Sequence, residues 1–141
     1  MKRVVLDTSA VASAFRSSRG ASFVILRLVA ERRLVPLVST ALFLEYEDVL
    51  HRPEQREAHG LDLQAVSRAL KELAALCEAV DLHFQWRPQL SDPADEMVLE
   101  VALNGRADCI VTHNVRHFRD AVPKFGVPVL TPGGLLERIR K

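Results

Sequence analysis

The chain has 141 residues, 48% of them hydrophobic and 26% charged, with a formal net charge of +1. That length supports one domain, so residues 1–141 read as a single unit with the balance of a globular protein that builds its own core. No apolar run is long enough to cross a membrane, and the near-neutral charge excludes a chain that holds nucleic acid by bulk charge alone.

The N-terminus reads Met1-Lys2-Arg3 and then Val4-Val5-Leu6, a run that Asp7 ends at once. A secretory signal needs a longer apolar stretch, so the expected location is the cytoplasm. Residues 3–6 are the first predicted strand. Residues 8–15 follow as a helix with Thr8 and Ser9 as candidate caps, then a polar loop at 16–20. Residues 21–33 make a strongly apolar helix with a basic end, and 35–38 a second strand. Ser39 or Thr40 caps a helix over 41–51, which Pro53 stops or breaks.

The clearest amphipathic helix spans 62–77, with Leu63, Val66, Leu70, Leu73, Ala74 and Cys77 at helical spacing. A short third strand lies within 78–84. Ser91-Asp92-Pro93 opens a helix to Asn104, with Gly105 as its stop. Strands at 109–112 and 127–130 and a helix over 132–140 complete the chain. Cys77 and Cys109 have apolar neighbours and no CxxC spacing, so they read as reduced core thiols rather than zinc ligands. Strands alternating with helices imply βαβ crossovers and an α/β fold. The expected form is a three-layer α/β/α sandwich on a mainly parallel sheet of about five strands.

In such a sheet ligands bind beyond the carboxyl ends of the strands, and acids gather there. Asp7 follows the first strand, Glu45 lies on the helix after the second, and Thr112-His113-Asn114 follow the fourth. Converging carboxylates repel one another unless cations neutralise them, and oxygen-rich sites suit Mg2+ or Mn2+. Two such ions activate water and stabilise the leaving oxygen of a phosphodiester. Each acid also has a plainer reading. Asp7 is a favoured helix cap, although Thr8 and Ser9 are available for that task. Glu45 shares a helix face with Leu42, Tyr46 and Val49, where a carboxylate is costly, but Glu47 or Asp48 could matter instead. Asp92, Pro93 and Asp95 fit the cap, first and third positions of a helix. Asp95 shares a face with Val98, Leu99 and Ala102, so it is the expected ligand and Asp92 the expected cap, with a second role at the metal. Glu96 and Glu100 share another face, expected to be solvated.

Asp7-Thr8-Ser9, Glu45, Asp92-Pro93-Ala94-Asp95 and Asp108-Cys109-Ile110-Val111-Thr112 together resemble the PIN-domain family over nearly the whole chain. The likeness is greatest to the bacterial and archaeal group of toxins from toxin–antitoxin pairs. It implies a metal-dependent endoribonuclease whose three acids map onto Asp7, Glu45 and Asp95, with Ser9 helping to order the site. Thr112, Asn114 and His117 then support the site. Asn114 and His117 stand where a fourth acid is often found, which leaves a one-metal enzyme, a weak one or one inactive alone, with a domain that binds RNA or protein without cutting as the rival reading. Asp92 is the carboxylate that would supply the missing charge.

An RNA substrate calls for positive charge nearby, and Arg16, Arg19 and Arg116 flank the expected site. The apolar helices at 21–33 and 42–50 would serve as a homodimer face, a groove for an antitoxin helix, or core. Other folds with an acid after the first strand fit less well. A haloacid-dehalogenase centre needs Asp-x-Asp, but position 9 is Ser, and a metal-dependent adhesion site needs Ser at position 11, which is Val. Receiver domains need an acidic pair after the first strand, which is missing.

Overall fold

A computed structural model of the chain describes residues 2–83, 90, 92–119 and 122–140. The sheet grows outward from β1 (Arg3–Leu6), whose Val4, Val5 and Leu6 are closed off from solvent, as a parallel strand covered by helices requires. On one side β1 pairs with β2 (Val35–Val38), and β2 with β3 (Glu78–Ala79). On the other side it pairs with β4 (Cys109–Val111), and β4 with β5 (Val129–Leu130). Every pairing among the described residues is parallel, and the order is β3-β2-β1-β4-β5.

Helices α1 (Thr8–Arg16) and α2 (Ala21–Ala30) join β1 to β2. Helices α3 (Thr40–Leu50), α4 (Pro53–His59) and α5 (Leu63–Leu76) join β2 to β3. Helix α6 (Pro93–Asn104) returns to β4 and packs across β1, β2 and β4. A 3₁₀ turn (Val115–Phe118) and α7 (Val122–Phe125) lead to β5, and α8 (Pro132–Arg140) follows. The chain leaves β1 first toward β2 and β3, and later fills the other side. Right-handed crossovers in opposite directions put helices on both faces, which makes the three-layer α/β/α sandwich. The boundary between β1 and β4 is therefore the topological switch point, where such sheets open a crevice. Leu6 lies opposite Val111, so Asp7 and Thr112 are the neighbouring residues at its lip. No described helix is long and apolar enough to cross a membrane.

The strands stand where the sequence puts them, though β3 and β5 are shorter; Phe84 and Ser91, at the edges of two predicted elements, lie outside the described residues. The break expected at Pro53 is present: α3 ends at Leu50, and Pro53 begins α4, because its missing N–H falls at a first-turn position with no partner to lose. The 3₁₀ turn and α7 carry no periodic apolar pattern and are not read from sequence. Helix α2 ends at Ala30, earlier than predicted: Arg32 turns left-handed at φ 61°, its N–H donates to the Val29 carbonyl at 2.9 Å and that of Arg33 to the Leu28 carbonyl at 2.9 Å. Helix α2 buries Ile25, Leu28 and Val29 and helix α3 buries Leu42, Tyr46 and Leu50, while Leu44 of α3 is 57% exposed.

Gly105 closes α6, but not by adopting the left-handed conformation: its φ is −90°, and Arg106 takes φ 53° instead. Gly105 is there for space. A Cβ would lie 2.9 Å from Leu37 Cδ1, the Val101 carbonyl oxygen and Val80 Cγ2. Its carbonyl accepts from Arg3 Nη2 at 2.8 Å, and the same guanidinium grips Glu78 on the short edge strand at 2.7 and 2.8 Å. The expectation that Glu96 and Glu100 are solvated is wrong: both are buried. His83 and Leu90, described residues ahead of α6, meet the helix at its two ends. The His83 N–H donates to Asn104 Oδ1 at 2.9 Å near the helix end, and the Leu90 N–H to Glu96 Oε1 at 2.6 Å near its start.

These two neighbours should respond oppositely to substitution. Gly105→Ala forces a methyl against backbone and two branched side chains and should lower unfolding free energy by about 1–3 kcal/mol. Arg106→Gly relieves the left-handed strain on an exposed residue and should raise it by about 1 kcal/mol. Urea melts of both variants read the sign directly.

Candidate active site

Asp7 is only 5% exposed, and its carboxylate is held by three donors. Oδ1 accepts from the Thr8 N–H at 2.8 Å; Oδ2 accepts from Thr112 Oγ1 at 2.6 Å and Ser9 Oγ at 3.0 Å. Both hydroxyl protons thus point at Asp7, so the 3.4 Å approach of the two hydroxyls to each other is packing and not a bond. Their lone pairs accept in turn: Ser9 Oγ from the His113 N–H at 3.1 Å, Thr112 Oγ1 from the Asn114 N–H at 2.9 Å. Asp7 is also the cap of α1, in place of Thr8 or Ser9. The capping and site readings of Asp7 are not alternatives, because one oxygen caps while the other is steered by hydroxyls.

Asp95 sits in the first turn of α6, 6% exposed. Burial first, then the charges of Asp7 and Asp92, push its carboxyl up to about 6, against the opposing pull of His117. His117 Nδ1 stands 3.2 Å from Asp95 Oδ2. Asp92 is exposed and caps α6, accepting from the Ala94 N–H at 2.9 Å, as expected, while its charge is still felt at Asp95. Asp7, Ser9, Thr112 and the Asn114 backbone are therefore one hydrogen-bonded cluster, and Asp95, Asp92 and His117 adjoin it.

Glu45 is not brought into that cluster: it is half-buried on α3 and makes no hydrogen bond or ion pair with a described residue. Its neighbour Tyr46 ties α3 to the site, donating its hydroxyl to the carbonyl of Leu6, the residue before Asp7. Burial, together with the charges of Cys77 and Asp7, holds that phenol well above its usual range. A buried tyrosine on an apolar stripe needs a partner for its hydroxyl, and that was the available signal for this anchor.

Arg16, Arg19 and Arg116 are all exposed. Ser22 Oγ, in the first turn of α2 three residues past Arg19, approaches His113 Nε2 at 3.4 Å, three residues before Arg116. Arg16 ends α1, a helix about 13 Å long that leads away from Asp7. Among the described residues, no three His, Cys, Asp or Glu side chains are gathered closely enough to hold a metal ion. The chemistry of the donor set nonetheless suits one divalent cation: both carboxylates are buried, the charge of Asp7 adds to the cost of charging Asp95, and a cation would relieve it.

That conflict has a pH signature. The folded chain holds the Asp95 proton up to about pH 6, whereas an unperturbed carboxyl releases it near 3.8. Between those values the folded state binds more protons, so stability falls as pH rises through the interval. In metal-free protein, Asp95→Asn should therefore be more stable than wild type at pH 7.5, by roughly 1–3 kcal/mol, and nearly equal at pH 4. A difference that does not change with pH, in urea melts at both values, would show that Asp95 carries no such strain.

A search of the curated proteins finds no match to this chain. A family comparison does: the PIN domain matches residues 3–116, from the first residue of β1 into the 3₁₀ turn that carries His117. That span takes in Asp7, Glu45, Asp95 and Thr112 in order, together with the crossover that sets β4 beside β1. By the extent of that match, the chain belongs to the PIN domain family, a fold of nuclease type.

Proposed function

We propose that this protein is a divalent-metal-dependent endoribonuclease that acts in the cytoplasm as the toxin of a type II toxin–antitoxin pair. The observation that carries the reading is the pair of buried acids, Asp7 and Asp95, at the switch point of a PIN fold, with Asp95 pushed up to about 6. Asp7 and Asp95 would hold Mg2+ or Mn2+, with Asp92 and Glu45 as the further carboxylates within the same end of the sheet. When bound, such an ion supplies a Lewis acid and an activated water for phosphodiester hydrolysis.

The chain's own residues have separate tasks. Ser9 and Thr112 fix the Asp7 carboxylate, so its oxygens need no reordering when a ligand arrives. Burial under α1 and α6 keeps water from screening the pair. The exposed Arg19 and Arg116, each three residues along the chain from the Ser22–His113 contact, would bind the phosphate backbone of the substrate, with Arg16 at the outer edge. A second reading, a PIN domain that binds RNA or protein without cutting, is favoured by His117 standing against Asp95, where a carboxylate would have completed an all-oxygen site.

Cleavage of a panel of structured and single-stranded RNAs with added Mn2+ separates the two readings. Wild type should cut and Asp7→Asn should not, and expression of wild type alone should arrest growth. An intact fold that binds the RNAs without cutting them would give the second reading the field. Arg19→Ala and Arg116→Ala should each weaken RNA binding across all sequences and lower the slope of log affinity against log salt by up to about 1. A slope unchanged in the double variant would remove these arginines from the RNA surface.

A further inference from the structure

Among the described residues, two other than glycine take positive φ, and both are arginines: Arg32 at 61° and Arg106 at 53°. Each stands just past a helix, α2 or α6, and leads into a strand, β2 or β4. Glycine would hold either position at no steric cost, so each arginine keeps a strain that its side chain has to justify. Attraction to the helix dipole does not justify it, because a cation anywhere in the last turn serves that purpose, as Arg27 already does in α2. Both side chains are exposed, and neither pairs with an acid among the described residues. Strands β2 and β4 both pair with β1, so the two arginines flank the amino end of the central strand, where Lys2 is exposed. Arg33 follows Arg32. Helix α8 packs on α2 and ends in Arg138 and Arg140, and the charge of Arg138 is felt at Cys109, the first residue of β4. Arg3 is held by Glu78. The other acids of these segments, Glu31, Asp108 and Glu137, are outnumbered two to one by Lys2, Arg32, Arg33, Arg106, Arg138 and Arg140, so this face is basic although the chain carries only +1. The large apolar side chains exposed among the described residues, Leu44, Leu61, Leu63 and Val115, lie outside it, so it offers no anchor to a lipid surface or an apolar partner.

We propose that this face, at the amino end of the sheet, binds the phosphate backbone of an RNA that continues past the site at Asp7. Five of its six cations are arginines, whose planar fork takes a phosphate through two parallel hydrogen bonds. Lys2 and Asp7 bound β1 at its two ends, roughly 16 Å apart along the strand, and the path over the covering helices is longer. A short oligonucleotide seated at Asp7 therefore misses the face, and a long or folded RNA reaches it. The inference rests on the ribonuclease reading above and gives it a substrate class: RNA with length or structure well beyond the cleaved bond.

The test is binding by the full chain in EDTA, so that nothing is cut, read by fluorescence anisotropy with a long hairpin RNA and a single-stranded tetranucleotide as probes. Wild type is compared with Arg32→Gly/Arg106→Gly and with Arg68→Ala/Lys71→Ala, which removes two exposed cations from α5. Both glycines remove strain together with charge, so the first variant keeps its fold, as a urea melt checks. It should lose roughly tenfold in hairpin affinity, with the slope of log affinity against log salt lowered by about 1–2, and bind the tetranucleotide within about twofold of wild type. The α5 variant should move neither probe by more than about twofold. A glycine variant no weaker on the hairpin than the α5 variant overturns the inference and leaves the ribonuclease reading standing. If the glycine variant instead loses binding of poly-glutamate and keeps that of the hairpin, the face seats an acidic protein, and the inference is again overturned alone. Folded wild type that binds neither RNA removes the ribonuclease reading, and this inference with it.

Discussion

A carboxylate buried at the end of a central strand has to be answered by donors, and the rest of this structure is arranged around that requirement. Asp7 has lost nearly all contact with water. An isolated charge there would cost several kcal/mol. Its three donors come from its own helix and from β4, so the site exists only while β1 and β4 keep their register. A slip of one residue would take Thr112 away and turn the strand's side chains to the wrong faces. The edge elements serve the same register from the far end of the sheet. The Asp108 carboxylate accepts from the Lys2 and Arg3 N–H groups at 3.0 and 2.9 Å, and Arg3 clamps β3 through Glu78.

Asp95 poses the opposite problem. Where Asp7 is satisfied by neutral donors, Asp95 is left with charge it cannot easily carry, and burial dominates that conflict ahead of Asp7 and Asp92. Three remedies are available to such a group: a proton, the nearby imidazole of His117, or a metal cation. The first two serve the metal-free protein and the third competes with them. The same pair of acids therefore links pH and stability in one place.

Much of the fold was legible because β1, β2 and β4 are apolar runs bounded by polar or capping residues, and parallel strands leave that mark in any sequence. Asp7, Ser9 and Thr112 were legible from position alone, since each directly follows or caps the end of a strand at the switch point. What failed did so for physical reasons. Helix phase grouped Glu96 with Glu100 but said nothing of what buries them, and contacts such as that of the Leu90 N–H with Glu96 are not written in helix phase. Gly105 looked like a conformational stop, but its real constraint is three atoms from elements far apart in sequence. The 3₁₀ turn of His117 is too short for periodicity to register, so the family resemblance named His117 as a supporting residue while its contact with Asp95 is visible only in three dimensions.

The Asp7 result bears on how acids are read in sequences of this kind. A capping role is usually set against a functional one, as though evidence for either weakened the other. Here the cap is what makes the acid usable. The Thr8 N–H fixes one oxygen, and two hydroxyls fix the other, so the carboxylate has no rotamer freedom left to lose when it meets a ligand. The hydroxyls donate their only protons to Asp7 and must accept from something else, and what they accept is the backbone of the turn that carries His113 and Asn114 and leads to His117. The geometry of the second half of the site is thus dictated by the proton inventory of the first. A substitution at Ser9 or Thr112 would act on Asp95's surroundings without touching Asp95 at all.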